Sequence, residues 1–127
     1  MAQPVEQVSF DSPDEVREGS NWRLELLNLA GDAQVGRLTL QPGWRWSRDV
    51  KPVVGTDWCM APHQSYQLTG RLHVAMEDGT ELQVVAGEVS SLPAGHDAWV
   101  VGDETVVAID WQGASVWARP SQAHDKS

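Results

Sequence analysis

Apolar side chains recur at every second position in short runs from Trp22 onward, beginning with Trp22, Leu24 and Leu26. A period of two is typical of a strand with one buried face, because successive side chains point to opposite sides of a sheet. Turn-forming pairs separate the runs, and Asp78-Gly79 between two of them predicts a hairpin. Many short strands and no long helical pattern predict an all-β fold, an antiparallel sandwich or barrel.

The two ends of the chain carry weaker patterns. Ser12, Pro13 and Glu15 resemble the start of a helix, which predicts at most one short helical turn before Gly19. Residues 120–127 show no periodicity and are expected to form a frayed tail. Since no repeat or linker divides the sequence, residues 1–127 are expected to form one domain.

The chain is strongly acidic, with 18 Asp and Glu against 9 Lys and Arg and a formal net charge of −9. Such a charge repels phosphate groups, so nucleic acid and membrane surfaces are not expected partners. The first residues lack the basic start and apolar run of a signal peptide, and no apolar run is long enough to span a bilayer. A cytoplasmic protein is expected, and the single cysteine, Cys59, excludes an internal disulfide.

The residues whose side chains could bind a metal ion together are Asp57, Cys59, His63 and His96. On extended segments the even spacing of Asp57, Cys59 and His63 places their side chains on one face. A thiolate, two imidazoles and a carboxylate would form a four-ligand set that favours zinc, with iron(II) or another divalent ion second. Without Asp57, the remaining three ligands would leave an open position for water or substrate, as catalytic sites do.

Two motifs around these residues resemble the paired motifs of the cupin superfamily. The first combines G-T-D-x-C with H-x-x-Y-x-L-x-G over residues 55–70, and the second is P-x-G-H-D-A-W-V-V-G-D-E over residues 93–104. The resemblance covers about residues 22–113 and implies a small antiparallel β-barrel, a double-stranded β-helix. It also implies a metal ion or a small ligand in the barrel mouth.

The same resemblance assigns positions within the family's ligand set. His63 falls where the family places a carboxylate, and Cys59 and Asp57 fall where it places two histidines. The family's last histidine position falls on Ala98, two residues after His96. The usual ligand set is therefore absent, and a substituted set is expected.

Further residues are candidates to line or to serve this mouth. The tryptophans among them favour an apolar wall, with core packing as the alternative. The arginine favours an anionic ligand, with an exposed ion pair as the alternative. The candidates for the substrate pocket are Trp44, Trp46, Arg48 and Trp99, and those that would assist catalysis are Tyr66 and Asp97.

The expected function is thus a cupin that binds a divalent metal and a small, anionic or aromatic molecule, and that pairs as a homodimer. Whether it is an enzyme stays open. One alternative is a metal-free ligand-binding or sensory module, in which Cys59 packs as a small apolar side chain and the histidines bond to backbone carbonyls. A weaker alternative is a structural partner for another protein.

Overall fold

The computed structural model describes residues 5–112 and 117–119, and the predicted all-β fold is confirmed. The expected tail at 120–127 lies outside the described residues. Within the described ranges the regular elements are β1 (Glu15–Gly19), β2 (Trp22–Leu29), β3 (Ala33–Leu40), α1 (Trp46–Asp49), α2 (Lys51–Val54), β4 (His63–Thr69), β5 (Arg71–Met76), β6 (Glu81–Val85), β7 (Val89–Leu92), β8 (His96–Val100) and β9 (Val106–Gln112).

The strands form two antiparallel sheets that face each other. The larger sheet has the order β1-β2-β3-β9-β4-β7, and the smaller one has the order β6-β5-β8. Their inner faces share one apolar core, to which Leu24, Leu40, Val74 and Val106 contribute fully buried side chains. Because Gly70 alone separates β4 from β5, the chain crosses from one sheet to the other at this residue.

Strand β4 shows how the alternating pattern selects the side chains between the sheets. His63 and Gln67 are buried, whereas Tyr66 and Leu68 on the opposite face are 39% and 44% exposed. The predicted alternation therefore holds here, and it directs the first residue of β4 towards the interior.

The segment before the first buried strand is extended, so the predicted helical turn is wrong. Residues Glu15–Gly19 pair with β2 along their whole length. Asp14 fixes the start of this pairing, because its Oδ2 accepts the backbone N–H of Asn28 at 2.8 Å. Pairing with a neighbouring strand here overrides a local capping pattern.

Trp46, a candidate for the pocket wall, begins the one-turn helix α1. The Asp97 carboxylate on β8 accepts the backbone N–H of Ser47 at 3.1 Å, which satisfies a donor at the start of this helix. A second helical turn follows and ends at Gly55, which has a positive φ of 82°. Across the described ranges, no helix has the length and apolar character needed to cross a membrane.

Candidate metal centre

Three potential metal ligands meet between the two sheets. Cys59, His63 and His96 are all buried, and each offers one ligand atom within 4.8 Å of the others. The Cys59 Sγ lies 3.8 Å from His63 Nε2, and the two imidazole ring centres are 5.3 Å apart. These are the three residues that would remain if Asp57 lay outside the site.

The backbone brings the cysteine to the two histidines. His63 is the first residue of β4, and His96 is the first residue of β8. Cys59 joins the edge of β8 through an isolated bridge, donating its N–H to the carbonyl of His96 at 2.8 Å and accepting the N–H of Gly95 at 2.8 Å. The positive φ of Gly95, 94°, directs the chain into this bridge.

Each histidine is oriented by an acceptor at its Nδ1. His63 Nδ1 lies 2.6 Å from the buried Oδ2 of Asp110 on β9, and His96 Nδ1 lies 2.9 Å from the carbonyl oxygen of Pro93. In the neutral imidazole, a proton on Nδ1 leaves Nε2 with a free lone pair. Histidine ligands of metals usually have an outer partner of this kind, which fixes the tautomer and the ring orientation.

The electrostatics of the cluster favour a deprotonated sulfur. Burial raises the pKa of the Cys59 thiol, but hydrogen bonds and positive charge from His63 and His96 outweigh burial and lower this pKa from 9.0 to about 6. Burial lowers the pKa of His63, but its hydrogen bonds to Asp110 and Cys59 outweigh burial and raise it to about 9. The thiolate is the form that binds metals and acts as a nucleophile.

Asp110 is a site residue that the sequence analysis missed. It lies on the inner face of β9, where Val106 and Ala108 are also buried. One feature of the sequence could have identified it: a carboxylate stands at the third position of an alternating apolar series. A carboxylate on a buried face requires a partner. Its partner is His63, on the neighbouring strand of the same sheet.

Asp57 is not part of the cluster, which corrects the expected four-ligand set. Its side chain is 90% exposed, and its Oδ1 lies 3.5 Å from Lys51 Nζ. The parity argument required an extended chain from Asp57 to Cys59, but the backbone bends at residues 57–58. The bend turns the carboxylate towards solvent.

A cavity lies beside the cluster and is lined by both histidines and Asp110. It leaves about 50 Å³ of space for the centres of water molecules. Its remaining polar lining comes from Ser65, Gln67 and Ser90. The rest of the wall is mostly apolar and includes Leu38, Leu40, Leu72, Trp44, Trp46 and Trp117.

Two of the four expected pocket residues line this cavity. Trp44 and Trp46 belong to its wall, and Trp44 buries an indole N–H that finds no acceptor in the described part of the chain. Trp99 lies on the outer face of β8, where its ring stacks on His73 at 4.6 Å. Arg48 is exposed and pairs with Asp49 at 2.9 Å, so its charge is not at the cavity.

The two residues expected to assist catalysis also point away from the cavity. Tyr66 lies on the outer face of β4. Asp97 lies on the outer face of β8, where its carboxylate bonds to the backbone of Ser47 and lies 3.4 Å from Arg45. Each is adjacent in sequence to an inward position, and adjacent strand residues face opposite sides.

Solved structures resemble this chain in fold, but its sequence matches no known family. No family model matches the sequence, and no curated protein is significantly similar to it. A protein of unknown function from Rhizobium leguminosarum superposes with a TM-score of 0.58 at 15% identity, over 87% of this chain and 99% of that one. A cupin-like protein from Thermotoga maritima superposes with a TM-score of 0.53 at 15% identity, over 83% of this chain and 80% of that one.

A longer enzyme contains the same fold. The oxalate decarboxylase of Bacillus subtilis, which has Mn(II) centres, superposes with a TM-score of 0.52 at 19% identity. The match covers 79% of this chain and 28% of the decarboxylase. Together with the two sheets described above, these likenesses show that the chain has the fold of the cupin superfamily.

Proposed function

We propose that this cupin domain binds one divalent metal ion through Cys59, His63 and His96 and takes a small molecule into the adjoining cavity. The observation that carries the proposal is the convergence of the three ligand atoms within 4.8 Å. The acceptors at the Nδ1 atoms of both histidines support it, because they leave both Nε2 atoms available. Three protein ligands leave one position open for a ligand from the cavity.

Zinc is the preferred ion, and iron(II) is second. Ordinary zinc bond lengths and tetrahedral angles place a sulfur and a nitrogen ligand about 3.6 Å apart. The separation of 3.8 Å between Cys59 Sγ and His63 Nε2 fits this value closely. The Mn(II) of the oxalate decarboxylase is a precedent for metal in this fold, but a thiolate with two imidazoles favours a softer ion than manganese.

The residues around such a site would have distinct roles. Asp110 and the carbonyl of Pro93 hold the imidazoles in place, and the apolar walls limit the entry of water. A bound divalent ion with an open position would polarise a ligand oxygen or lower the pKa of a bound water. The cavity would then hold that ligand beside the inner faces of β4 and β7.

The first test is the metal content of the protein, purified without chelators or added metal and measured by mass spectrometry. We expect close to one equivalent of zinc or iron. The His73→Ala variant should keep the same stoichiometry. His73 pairs with Glu81 and lies on the outer face of β5, on the opposite side of the sheet from the cluster. This control separates the proposed site from scavenging by a surface imidazole.

A protein without stoichiometric metal, even after each candidate ion is offered, would contradict the proposal. It would favour the metal-free ligand-binding module instead. The observation that favours this alternative is the series of side-chain contacts from Cys59 through His63 to Asp110. In this series the charged groups neutralise one another without an ion.

The affinity for zinc should rise with pH by about tenfold per unit between pH 6 and 9. In this window Cys59 is already a thiolate, whereas His63 must release its proton before it can bind the ion. Below about pH 6 the dependence should become steeper, because Cys59 must also lose a proton. Competition with a chelator of known pH-corrected affinity measures the slope.

A slope of zero over the same window would contradict this result, since it would mean that no ligand proton is displaced. In His63→Ala the slope between pH 7 and 9 should persist, because the loss of His63 also raises the pKa of Cys59, whose thiol must then release the displaced proton.

A further inference from the structure

A row of polar side chains crosses the cavity wall beside the metal centre. Ser65 on β4 stands opposite Ser90 on β7 and opposite Asp110 on β9 in the strand register. All three residues line the cavity. Ser65 lies two residues after His63 on the same face of β4, so the row runs next to the proposed ligand position.

The two hydroxyls of this row are free to bond to a ligand. Neither Ser65 nor Ser90 makes a side-chain hydrogen bond to any other residue that the structure describes. Asp110 differs, because its Oδ2 is engaged by His63 and its Oδ1 accepts the backbone N–H of Gln112 at 2.8 Å. A hydroxyl both donates and accepts, so the pair of serines suits hydroxyl or carbonyl oxygens.

The charges around the cavity disfavour an anionic ligand. Among the described residues that line it, none is lysine or arginine, and one is the carboxylate Asp110. The guanidinium groups of the segment that carries Trp44 and Trp46 are engaged elsewhere: Arg45 lies 4.2 Å over the ring of Trp99, and Arg48 pairs with Asp49. A divalent ion would be balanced by the Cys59 thiolate and Asp110, so a ligand carboxylate would add an uncompensated charge between apolar walls.

The size of the cavity limits the ligand further. A cavity must offer at least about 10–15 Å³, the volume of one water-sized sphere, to hold a water molecule. The 50 Å³ available here therefore holds several waters and suits a small ligand.

We propose that the cavity selects a small uncharged molecule with hydroxyl or carbonyl oxygens, such as a short hydroxy amide or hydroxy ketone, which Ser65 and Ser90 orient beside the metal centre. This inference rests on the proposed function, because it names the class of ligand for the same site. It replaces the expectation of an anionic ligand, which depended on Arg48.

Glycolamide and glycolate provide the matched probes, because they have nearly the same shape and differ in charge at pH about 7.5. Each is titrated into zinc-loaded, nitrogen-15-labelled protein, and the backbone amide shifts of β4 and β7 are followed by NMR. We expect glycolamide to shift the amides of Ser65 and Ser90 and to bind at least about tenfold more tightly than glycolate. Equal or tighter binding of glycolate at these residues would overturn the proposal, as would the absence of binding by glycolamide.

Ser65→Ala and Ser90→Ala test the orienting pair. Each should weaken glycolamide binding about five- to tenfold through the loss of one hydrogen bond, with unchanged zinc content. Ser91→Ala is the matched control, because Ser91 is adjacent on β7 but exposed on its outer face. Unchanged binding in both inward variants would remove the serines from the ligand site.

The same titration on protein stripped of metal separates the two proposals. If the purified protein holds no metal but glycolamide still shifts Ser65 and Ser90, the ligand class stands and the metal proposal fails. If the protein holds one equivalent of zinc and only glycolate binds beside it, the metal proposal stands and the ligand class fails.

Discussion

Replacing Cys59 with serine should lower the affinity for Zn²⁺ by about 100- to 1,000-fold. Structural zinc sites bind with roughly 10–16 kcal/mol shared among four ligands, which is about 2.5–4 kcal/mol for each. A serine hydroxyl stays protonated where the Cys59 thiol, with its pKa of about 6, is a thiolate. Competition with a chromophoric zinc chelator at constant pH measures the change.

Asp57→Asn is the matched control for this experiment. Asp57 lies two residues before Cys59, but its carboxylate is exposed and paired with Lys51. Its replacement should leave the zinc affinity within about twofold, since surface ion pairs contribute little. Equal losses in the two variants would indicate a general effect on the loop, and an undiminished affinity in Cys59→Ser would show that the sulfur is not a ligand.

The fold could be predicted from the sequence because its signals are local. The alternation that begins at Trp22 and the turn at Asp78-Gly79 each depend on a few neighbouring residues. The turn does join β5 to β6, with a positive φ of 94° at Gly79. The extended N-terminal segment was missed because its conformation depends on pairing with β2, which no local pattern specifies.

The cluster could be predicted only in part, for a similar reason. The two motifs placed Cys59, His63 and His96 near one another, and parity within each strand was sufficient for both histidines. Parity failed for Asp57, because the chain bends before Cys59. Asp110 was missed because its role depends on the register between β9 and β4, which only the folded sheet determines.

The predicted catalytic and pocket residues that lie outside the cavity show a second limit of prediction from sequence. Tyr66, Asp97 and Trp99 lie in the right motifs but on the outer faces of their strands. The parity of each strand was available in the sequence, and it separates Asp97 and Trp99 from His96. Motif membership therefore identified the strands of the site, while parity identified the side chains that face it.

Gly70→Ala should destabilise the fold by about 3–5 kcal/mol, through strain in the backbone and overlap with neighbouring atoms. Gly70 has a φ of 79°, which side chains other than glycine rarely adopt. A Cβ at this position would lie 2.7 Å from Val106 Cγ2, 2.8 Å from the carbonyl oxygen of Thr105 and 2.9 Å from Val106 Cα. Two of these three atoms belong to the backbone of the neighbouring chain segment, so a side-chain rotation cannot relieve the overlap.

Gly79→Ala separates the two causes. Gly79 has a φ of 94°, but a Cβ there would meet nothing within 4 Å. Its replacement should therefore cost about 1–2 kcal/mol from backbone strain alone. Urea denaturation of both variants measures the difference, and equal losses would mean that the contacts with Val106 do not restrict the backbone at Gly70.

The substitution Gly70→Ala should also perturb the candidate site. Gln67 donates its side-chain N–H to the carbonyl oxygen of Gly70 at 2.9 Å and lines the cavity beside Ser65. Movement of Gly70 away from Val106 would shift this carbonyl, and with it the inner face of β4 that carries His63. The glycine that ends the first motif thus lets the chain pass from β4 to β5 in close contact with the start of β9, beside Val106, which lines the cavity.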